Sequence, residues 1–294
     1  LCIIIFGYNR DIYTFNDGND VDFKYMSNNE YFINIPTELN KVYTERYIWV
    51  YWENIKYNIM PTHIKLCIDT MKKHLMNKYK LVILNEKTIY DYLPDLRNDL
   101  NELMLAQKVD YYRVALLYKY GGIWLDADTI VMRDLGDIFD KLDNNYDYVG
   151  FGCTGLICFN GWPKPSNGVM ASRKHGILIK LCLDKLNEKL NNNNNNYDYF
   201  DLGKITIWEA LSDLKSSNYD YYHYPSEYDG SRDINGNWVH TSNHFDTKHT
   251  QLIDINKLFF VFLANYEISN QQKYAWIKNA TENQLLYGPY WICS

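Results

Sequence analysis

Four charged side chains in one stretch of the chain could together bind a metal ion and a diphosphate. Asp110 and Arg113 lie three residues apart on a predicted helix, which places them on one helical face. Asp126 and Asp128 follow the apolar run Ile123 to Leu125, which is typical of a buried strand. Carboxylates suit Mg²⁺ or Mn²⁺, and a guanidinium binds phosphate. These residue types therefore predict a cation site next to a diphosphate site.

The spacing between the helix and the strand predicts that these side chains converge. Arg113 precedes Gly121 by about 12 Å of helix, and Asp126 follows Gly122 by about 13 Å of extended chain. If the chain reverses at the two glycines, Arg113 and Asp126 return to the same end. The alternative is a turn in which Asp126 and Asp128 cap backbone amides, but it leaves the arginine-bearing helix and the two glycines unexplained.

A second Asp-x-Asp triplet shows that the triplet alone is weak evidence. Asp20-Val-Asp22 lies in a polar segment that contains glycine, which indicates a solvated loop. Open α/β sheets bind ligands at the carboxyl ends of their strands. Asp126 and Asp128 follow a predicted strand, so they are the better candidates.

Strands and helices alternate along the chain. This order predicts an α/β fold with a Rossmann-type, mostly parallel central sheet and helices on both faces. We expect a single domain over 1–294, with one half at about 45–172, which contains the predicted diphosphate and cation sites, and a second half at about 173–294. The predicted strands are 47–51, 79–84, 123–125, 146–151 and 168–172, and the predicted helices are 61–77, 99–120 and 176–190.

The block from Val109 to Thr129 resembles the Asp-x-Asp region of family 32 glycosyltransferases and their relatives. These relatives include capsular polysaccharide synthesis proteins, the initiating α-mannosyltransferases of the yeast Golgi and the glucosyltransferase domains of clostridial toxins. Ile48-Trp49-Val50 is similar to the first-strand signature of the family. The resemblance implies a GT-A-like fold and sugar transfer, with retention of anomeric configuration, from a UDP-sugar or GDP-mannose to a glycan or protein acceptor. It also implies that the half at about 45–172 binds the nucleotide sugar and the metal and that acceptor-side and closing elements lie at about 173–294.

The resemblance also implies roles for the four charged residues. Asp128 would ligate Mn²⁺ or Mg²⁺ directly, and Asp126 would face the ribose and the waters bound to the metal. Asp110 and Arg113 would contact hydroxyls of the donor sugar, with Arg113 also near the diphosphate. A catalytically silent binding protein on the same fold is the alternative function. A glycoside hydrolase is disfavoured, because acids two residues apart on one extended segment do not flank a glycosidic bond.

Three further residues are candidates for the same site. The resemblance implies that Trp49 stacks on the nucleotide base and that Asn85, at the end of the strand Lys80 to Leu84, contacts the donor. A core tryptophan and a turn asparagine are the respective alternatives. His240 is a candidate third metal ligand, although most isolated histidines are ordinary surface or core residues.

The C-terminal part is less regular. Tyr219 to Gly236 is rich in aromatic residues and is a candidate acceptor region, and a loop packed by its own tyrosines is an equal alternative. Gly288 to Ile292 could close over the donor or form a packing strand. The asparagine run Asn191 to Asn196 predicts a surface loop.

Composition limits the partners of the chain. A formal net charge of −6 disfavours nucleic acid as a partner, and no apolar run is long enough to span a bilayer. The six scattered cysteines indicate free thiols, and we expect a cytoplasmic protein. A lumenal location is the alternative if an N-terminal anchor was removed. Richness in Asn, Tyr, Ile and Lys suggests an AT-rich genome such as that of a giant virus.

Overall fold

The computed structural model describes residues 45–54, 59–144, 146–153, 164–192, 196–217, 219–240, 244–245 and 253–287. The second triplet Asp20-Val-Asp22 and the C-terminal segment Gly288 to Ile292 lie outside the described residues. So does the middle of the asparagine run, whose first two residues belong to a helix.

A six-stranded sheet forms the centre of the molecule. Its strands are β1 (Tyr47–Tyr51), β2 (Lys80–Leu84), β3 (Gly122–Asp126), β5 (Tyr148–Cys153), β6 (Lys164–Ser172) and β7 (Tyr222–Pro225). Their order across the sheet is β2-β1-β3-β6-β5-β7. Strand β3 runs parallel to β1, and β1 runs parallel to β2. Strand β6 is antiparallel to both β3 and β5, and β7 is parallel to β5. Five strands therefore share one direction, which confirms the predicted mostly parallel sheet.

A separate antiparallel pair lies beside this sheet. Strand β4 (Thr129–Val131) pairs with β8 (Phe260–Phe262), so a late part of the chain returns to the segment that follows β3. The backbone amide of Leu263 donates to the carbonyl oxygen of Asp128 at 3.0 Å. This pairing brings residues from the C-terminal third of the chain to the predicted site.

Helices cover both faces of the central sheet. They are α1 (Thr62–Leu75), α2 (Ile89–Tyr92), α3 (Leu105–Tyr120), α4 (Gly136–Asn144), α5 (Ile177–Asn192), α6 (Lys204–Leu214), α7 (Asn265–Asn270) and α8 (Glu282–Tyr287). Short 3₁₀ helices span Asn98–Glu102, Lys215–Ser217 and Gln272–Asn279. None of the helices in the described part of the chain has the length and apolar character needed to cross a membrane.

Alternating side chains of each strand supply the two cores. Trp49 and Trp124 face the core formed with α3, α5 and α6. Ile48 and Ile123, their chain neighbours, face the core formed with α1 and α4. This period of two is the geometry of an extended strand buried on both sides.

The long predicted helix begins later than its sequence suggests. The expected range was 99–120, whereas α3 starts at Leu105, after the 3₁₀ helix Asn98–Glu102. Leu103 and Met104 are extended, with ψ of 156° and 149°, so they interrupt the helical path. The Gln107 side chain then accepts a hydrogen bond from the Met104 amide at 3.3 Å, which satisfies a backbone donor at the helix start.

The two glycines after α3 make the reversal that the spacing predicts. Gly121 has a φ of +72°, and its amide donates to the carbonyl oxygen of Leu117 at 2.8 Å. A Cβ on Gly122 would lie 2.3 Å from the carbonyl oxygen of Tyr47 on β1. Both positions therefore need glycine: the first for its backbone conformation, the second for close strand packing.

Candidate active site

Arg113 joins the helix and the strand that the sequence predicts to converge. Its Nη1 lies 3.1 Å from Oδ1 of Asp126, and its Nη2 lies 3.2 Å from Oδ1 of Asp110. The side chains of Arg113 and Asp110 are 7% and 5% exposed, whereas that of Asp126 is 33% exposed. The arginine thus links a buried acid to an acid that ligands can reach.

Asp126 sits at the carboxyl edge of the sheet, level with Tyr51 of β1. Its Oδ1 also accepts a hydrogen bond from Nε1 of Trp124 at 2.8 Å, and the Arg113 guanidinium lies 5.1 Å from the centre of the Trp124 ring. Both polar contacts engage Oδ1. Oδ2 accepts no hydrogen bond from the residues that the structure describes, so it is the oxygen available to a ligand.

Strand β6 contributes a residue that sequence analysis missed. Asn167 donates from Nδ2 to Oδ1 of Asp110 at 2.9 Å, and its backbone carbonyl oxygen accepts a hydrogen bond from Nη1 of Arg113. A Cβ on the next residue, Gly168, would lie 3.3 Å from Oδ2 of Asp126. The sequence signal was present, because a glycine inside a strand often marks a close approach.

Burial shifts the pKa of Asp110 strongly. Its pKa rises from 3.8 to about 7, first because burial disfavours the charge, while Arg113 acts in the opposite direction and Asp126 raises it further. Burial would lower the pKa of Arg113, but Asp126 and Asp110 outweigh burial and raise it overall. Arg113 therefore stays charged while Asp110 is close to protonation at neutral pH.

Asp128 is held by the returning C-terminal segment. Its Oδ2 accepts a hydrogen bond from the backbone amide of Asn265, the first residue of α7, at 2.7 Å. Burial and then the nearby charge of Asp126 raise the pKa of Asp128 to about 6. Two carboxylates that disfavour each other's charge would be stabilised by a divalent cation between them.

The donor set fits a metal of the predicted kind. Asp126 and Asp128 offer hard oxygen ligands, and Mg²⁺ in phosphate-transfer sites commonly takes one or two carboxylates together with water and substrate phosphates. In the described part of the chain, no three His, Cys, Asp or Glu side chains form a group that could hold a metal ion. The other ligands would then be water and diphosphate oxygens.

His240 is exposed, and among the described residues it forms no three-residue group with Asp126 and Asp128 that could hold a metal ion. A role for His240 as a third metal ligand stays a prediction. The neighbouring His244 is buried, and His249 lies outside the described residues.

Trp49 cannot stack on a nucleotide base in this structure. Its side chain is 0% exposed, its Nε1 donates to the carbonyl oxygen of Gly121 at 2.9 Å, and its ring stacks on Tyr47 with 4.6 Å between centroids. Trp49 is thus a core tryptophan, because its side chain packs between the sheet and the helices that cover it. Trp52, one residue beyond the end of β1, is half-buried at the carboxyl edge and is the better candidate for a base contact.

Asn85 has a local role at the end of β2. Its Oδ1 accepts hydrogen bonds from the amides of Lys87 and Thr88 at 2.8 and 3.1 Å, and its own amide donates to Oγ1 of Thr88 at 3.0 Å. These hydrogen bonds form the turn that precedes α2, as expected for a turn asparagine. Contact between Asn85 and a donor stays a prediction.

The aromatic segment 219–236 packs mainly against the sheet. Tyr222–Pro225 is strand β7, and Tyr224 stacks on Phe151 with 4.8 Å between ring centroids. Tyr221 and Tyr228 also contact aromatic residues of the protein. Packing by its own tyrosines therefore explains this segment, and its role in acceptor binding stays a prediction.

The loop before α6 supplies a second group of residues that sequence analysis missed. A Cβ on Gly203 would lie 2.5 Å from Nδ2 of Asn167 and 2.7 Å from Oδ2 of Asp110. Burial, followed by the charges of Asp126 and Asp110, raises the pKa of the Tyr199 hydroxyl to about 12. The loop thus lies directly against the acids, a long-range contact that no local pattern reveals.

Comparison with protein families gives one match over most of the chain. A family model described as capsular polysaccharide synthesis protein matches residues 21–281. Among curated proteins, the O-glycosyltransferase braB of Annulohypoxylon truncatum is 26% identical over an alignment of 161 residues. This alignment covers 49% of this chain. The chain spans 37% of the length of that relative.

Solved structures of glycosyltransferases are among the similar folds. GlyE of Streptococcus pneumoniae TIGR4 is 14% identical with a TM-score of 0.44, covering 83% of this chain and 63% of GlyE. The PaToxG glycosyltransferase is 18% identical with a TM-score of 0.42, covering 59% and 70%. A glycosyltransferase that acts in glycosylation of the major capsid of PBCV-1 is 13% identical with a TM-score of 0.42, covering 74% and 94%.

Proposed function

The chain belongs to the capsular polysaccharide synthesis protein family, and from this premise we propose that it is a metal-dependent glycosyltransferase. It transfers a sugar from a nucleotide-sugar donor, a UDP-sugar or GDP-mannose, to a glycan or protein acceptor with retention. One observation carries the proposal: Asp126 and Asp128 stand at the carboxyl edge of the sheet, and Arg113 lies 3.1 Å from Asp126. Ligands of open α/β sheets bind at this edge.

The two aspartates have separate tasks. Asp128 is fixed at Oδ2 by the Asn265 amide, and its other oxygen would hold the metal. Asp126 is fixed through Oδ1 by Arg113 and Trp124, so Oδ2 is left for the ribose or for a water on the metal. The bound cation would neutralise the charge that develops on the departing diphosphate.

Arg113 and Asp110 orient the acid that faces the donor. The guanidinium is held by Asp110, Asp126 and the carbonyl oxygen of Asn167, so it has little freedom to move. Its positive charge stabilises negative charge on the diphosphate side of the breaking bond. Direct contacts of Asp110 and Arg113 with sugar hydroxyls are also proposed, although both side chains are nearly enclosed by protein.

The sugar develops oxocarbenium character as the diphosphate leaves. We propose that the Asp126 carboxylate stabilises that charge, with the Tyr199 hydroxyl, whose pKa responds to Asp126 and Asp110, close to it. Retention can follow either a front-face route or a route through a protein nucleophile, and the proposal is compatible with both.

A donor screen tests the proposal directly. A panel of UDP-sugars and GDP-mannose is incubated with the full chain in Mn²⁺ or in EDTA, and free nucleoside diphosphate is measured. We expect one donor to be hydrolysed slowly with Mn²⁺ and not with EDTA. Saturable binding of a donor without diphosphate release would instead identify a catalytically silent binding protein. Equal release in EDTA would exclude the metal-dependent mechanism.

A further inference from the structure

An aromatic and basic ledge adjoins the proposed donor site. The ledge consists of Phe200 in the loop before α6, Lys204 and Trp208 of α6, and Lys164 at the start of β6. The Lys204 ammonium lies 3.5 Å from the Phe200 ring centre and 5.5 Å from that of Trp208. The Lys164 ammonium lies 4.6 Å from the Trp208 ring centre. Two cations therefore flank one indole ring.

The ledge is continuous with the acids of the site. Gly203, next to Lys204, is so close to Asp110 that an added Cβ would lie 2.7 Å from its Oδ2. Trp208 donates from Nε1 to the carbonyl oxygen of Pro165 at 3.0 Å, two residues before Asn167 on β6. A molecule on the ledge would thus reach the sugar-binding side of the site.

Hydrogen bonds from three helices hold the loop that carries the ledge. Gln107 of α3 donates to the carbonyl oxygen of Tyr197 at 3.0 Å. Lys189 of α5 and Thr206 of α6 both donate to the carbonyl oxygen of Asp201, at 3.0 and 2.8 Å. The ledge is therefore a built surface and not a free loop.

Lys204 is unusual in its surroundings. It is half-buried, and burial lowers its pKa. It forms no ion pair with a carboxylate among the described residues, although the chain has a net charge of −6. A half-buried ammonium without a counterion favours an anionic ligand.

We propose that this ledge is the acceptor subsite and that it takes a pyranose carrying a carboxylate, such as a uronic acid. The exposed Phe200 ring, 45% accessible, and the Trp208 ring offer apolar faces to the C–H face of the sugar. Lys204 binds the carboxylate, and the nearby Lys164 adds positive charge. This inference rests on the proposed glycosyltransferase function, and the acceptor role of the segment 219–236 stays a separate prediction.

Binding of simple glycosides tests the subsite without turnover. Methyl β-glucuronide and methyl β-glucoside are titrated into the full chain, with binding followed by saturation-transfer NMR. We expect the wild type to prefer the glucuronide. Lys204→Met should weaken glucuronide binding about tenfold, the scale of one charge-assisted hydrogen bond, and change glucoside binding little. Phe200→Ala should weaken binding of both glycosides.

Lys215→Met is the matched control, because Lys215 is an exposed lysine just beyond the other end of α6. It should leave both affinities unchanged. Equal binding of the two glycosides by the wild type, or binding of neither, would overturn the subsite. So would a loss of donor hydrolysis in Lys204→Met as large as its loss of glucuronide binding, since the lysine would then serve the donor. Failure of every donor to be hydrolysed would refute the glycosyltransferase proposal, while the glycoside titrations would still judge the subsite.

Discussion

At the scale of single residues, the site is organised around one buried guanidinium. Arg113 contacts two carboxylates and a backbone carbonyl oxygen while its side chain is only 7% exposed. A charge buried to this extent is stable only because its partners are in place. The neighbouring carboxylates differ in their exposure. Asp110 is buried, whereas Asp126 and Asp128 are partly exposed.

Asp128→Asn should remove metal-dependent turnover and preserve the fold. The asparagine side-chain oxygen can still accept the hydrogen bond from the Asn265 amide, but the substitution removes the anionic ligand. We expect Mn²⁺-dependent diphosphate release to fall by about 100-fold or more, with an unchanged circular dichroism spectrum. Asp137→Asn, at an exposed acid of α4, is the control. Retained turnover in Asp128→Asn would argue against its role as a ligand.

Arg113 and Asp110 should show strong energetic coupling. Arg113→Met leaves the enclosed Asp110 without its cation and should lower the free energy of unfolding by about 3 kcal/mol or more. Asp110→Asn in the same chain removes the unpaired charge, so the double variant should be more stable than the sum of the single effects predicts. Urea unfolding of the four proteins measures this coupling. Additive effects would mean that the ion pair contributes little.

At the scale of secondary structure, the site depends on how closely three elements approach one another. α3 delivers Asp110, β6 delivers Asn167, and the N-terminus of α6 approaches both through Gly203. The approach is so close that a single methyl group at Gly203 would overlap polar atoms of the site. Glycine is therefore required here for space.

Gly203→Ala should disturb the site more than the fold. The new Cβ would lie 2.5 Å from Nδ2 of Asn167 and 2.7 Å from Oδ2 of Asp110, so both side chains must shift. We expect a loss of about 1 to 3 kcal/mol in unfolding free energy, the usual cost of overpacking, together with a clear fall in turnover. Ser212→Ala, on an exposed residue of the same helix, should change neither. Normal turnover in Gly203→Ala would mean that Asp110 is not held in place by this contact.

Local sequence patterns predicted the elements well where the pattern is strong. The range of β1 was predicted as 47–51 and is observed as Tyr47–Tyr51, because a short apolar run in a parallel sheet has clear limits. The convergence of Arg113 and Asp126 also followed from counting residues. Trp49 is a core residue, because an apolar strand presents side chains to two buried faces and the sequence does not show which of these side chains a ligand can reach.

Other parts of the site were beyond the reach of local patterns. Asn167, Tyr199 and Gly203 reach Asp110 and Asp126 only through the pairing of β6 with β3 and the placement of the loop before α6. The role of His240 as a third ligand stays a prediction for the same reason, because its distance from the aspartates is set by long-range packing. The family resemblance, by contrast, is confirmed by a match that extends well beyond the block from which it was inferred.

At the scale of the whole molecule, distant segments meet at one edge of the sheet. Asn265 hydrogen-bonds Asp128 across 137 positions of the chain, and Gly203 reaches Asp110. Residues after 172 therefore belong to the site as much as those before it. The division into a donor half and an acceptor half remains a prediction, but these contacts place both halves around the same acids.

The buried acids should make the metal-free protein less stable as pH rises. The pKa of Asp110 is raised from 3.8 to about 7, so between these values the folded state binds more protons than the unfolded state. Stability attributable to this group is then fully present below about pH 4 and is lost as pH rises toward 7. Each pKa unit corresponds to about 1.4 kcal/mol, so the total change is on the order of a few kcal/mol. Asp128, with its pKa raised to about 6, contributes in the same direction.

Asp110→Asn isolates this contribution, because the amide does not titrate. Urea unfolding in EDTA at pH 5, 6, 7 and 8 should show the variant gaining stability relative to the wild type as pH rises. The change should be concentrated below about pH 7, because the unfolded state is ionised there while folded Asp110 keeps its proton. Other acids, such as Asp99 with its lowered pKa, titrate in both proteins and cancel in the difference. A constant difference across this range would show that Asp110 is already ionised in the folded protein at pH 5 and that Arg113 outweighs the cost of its burial.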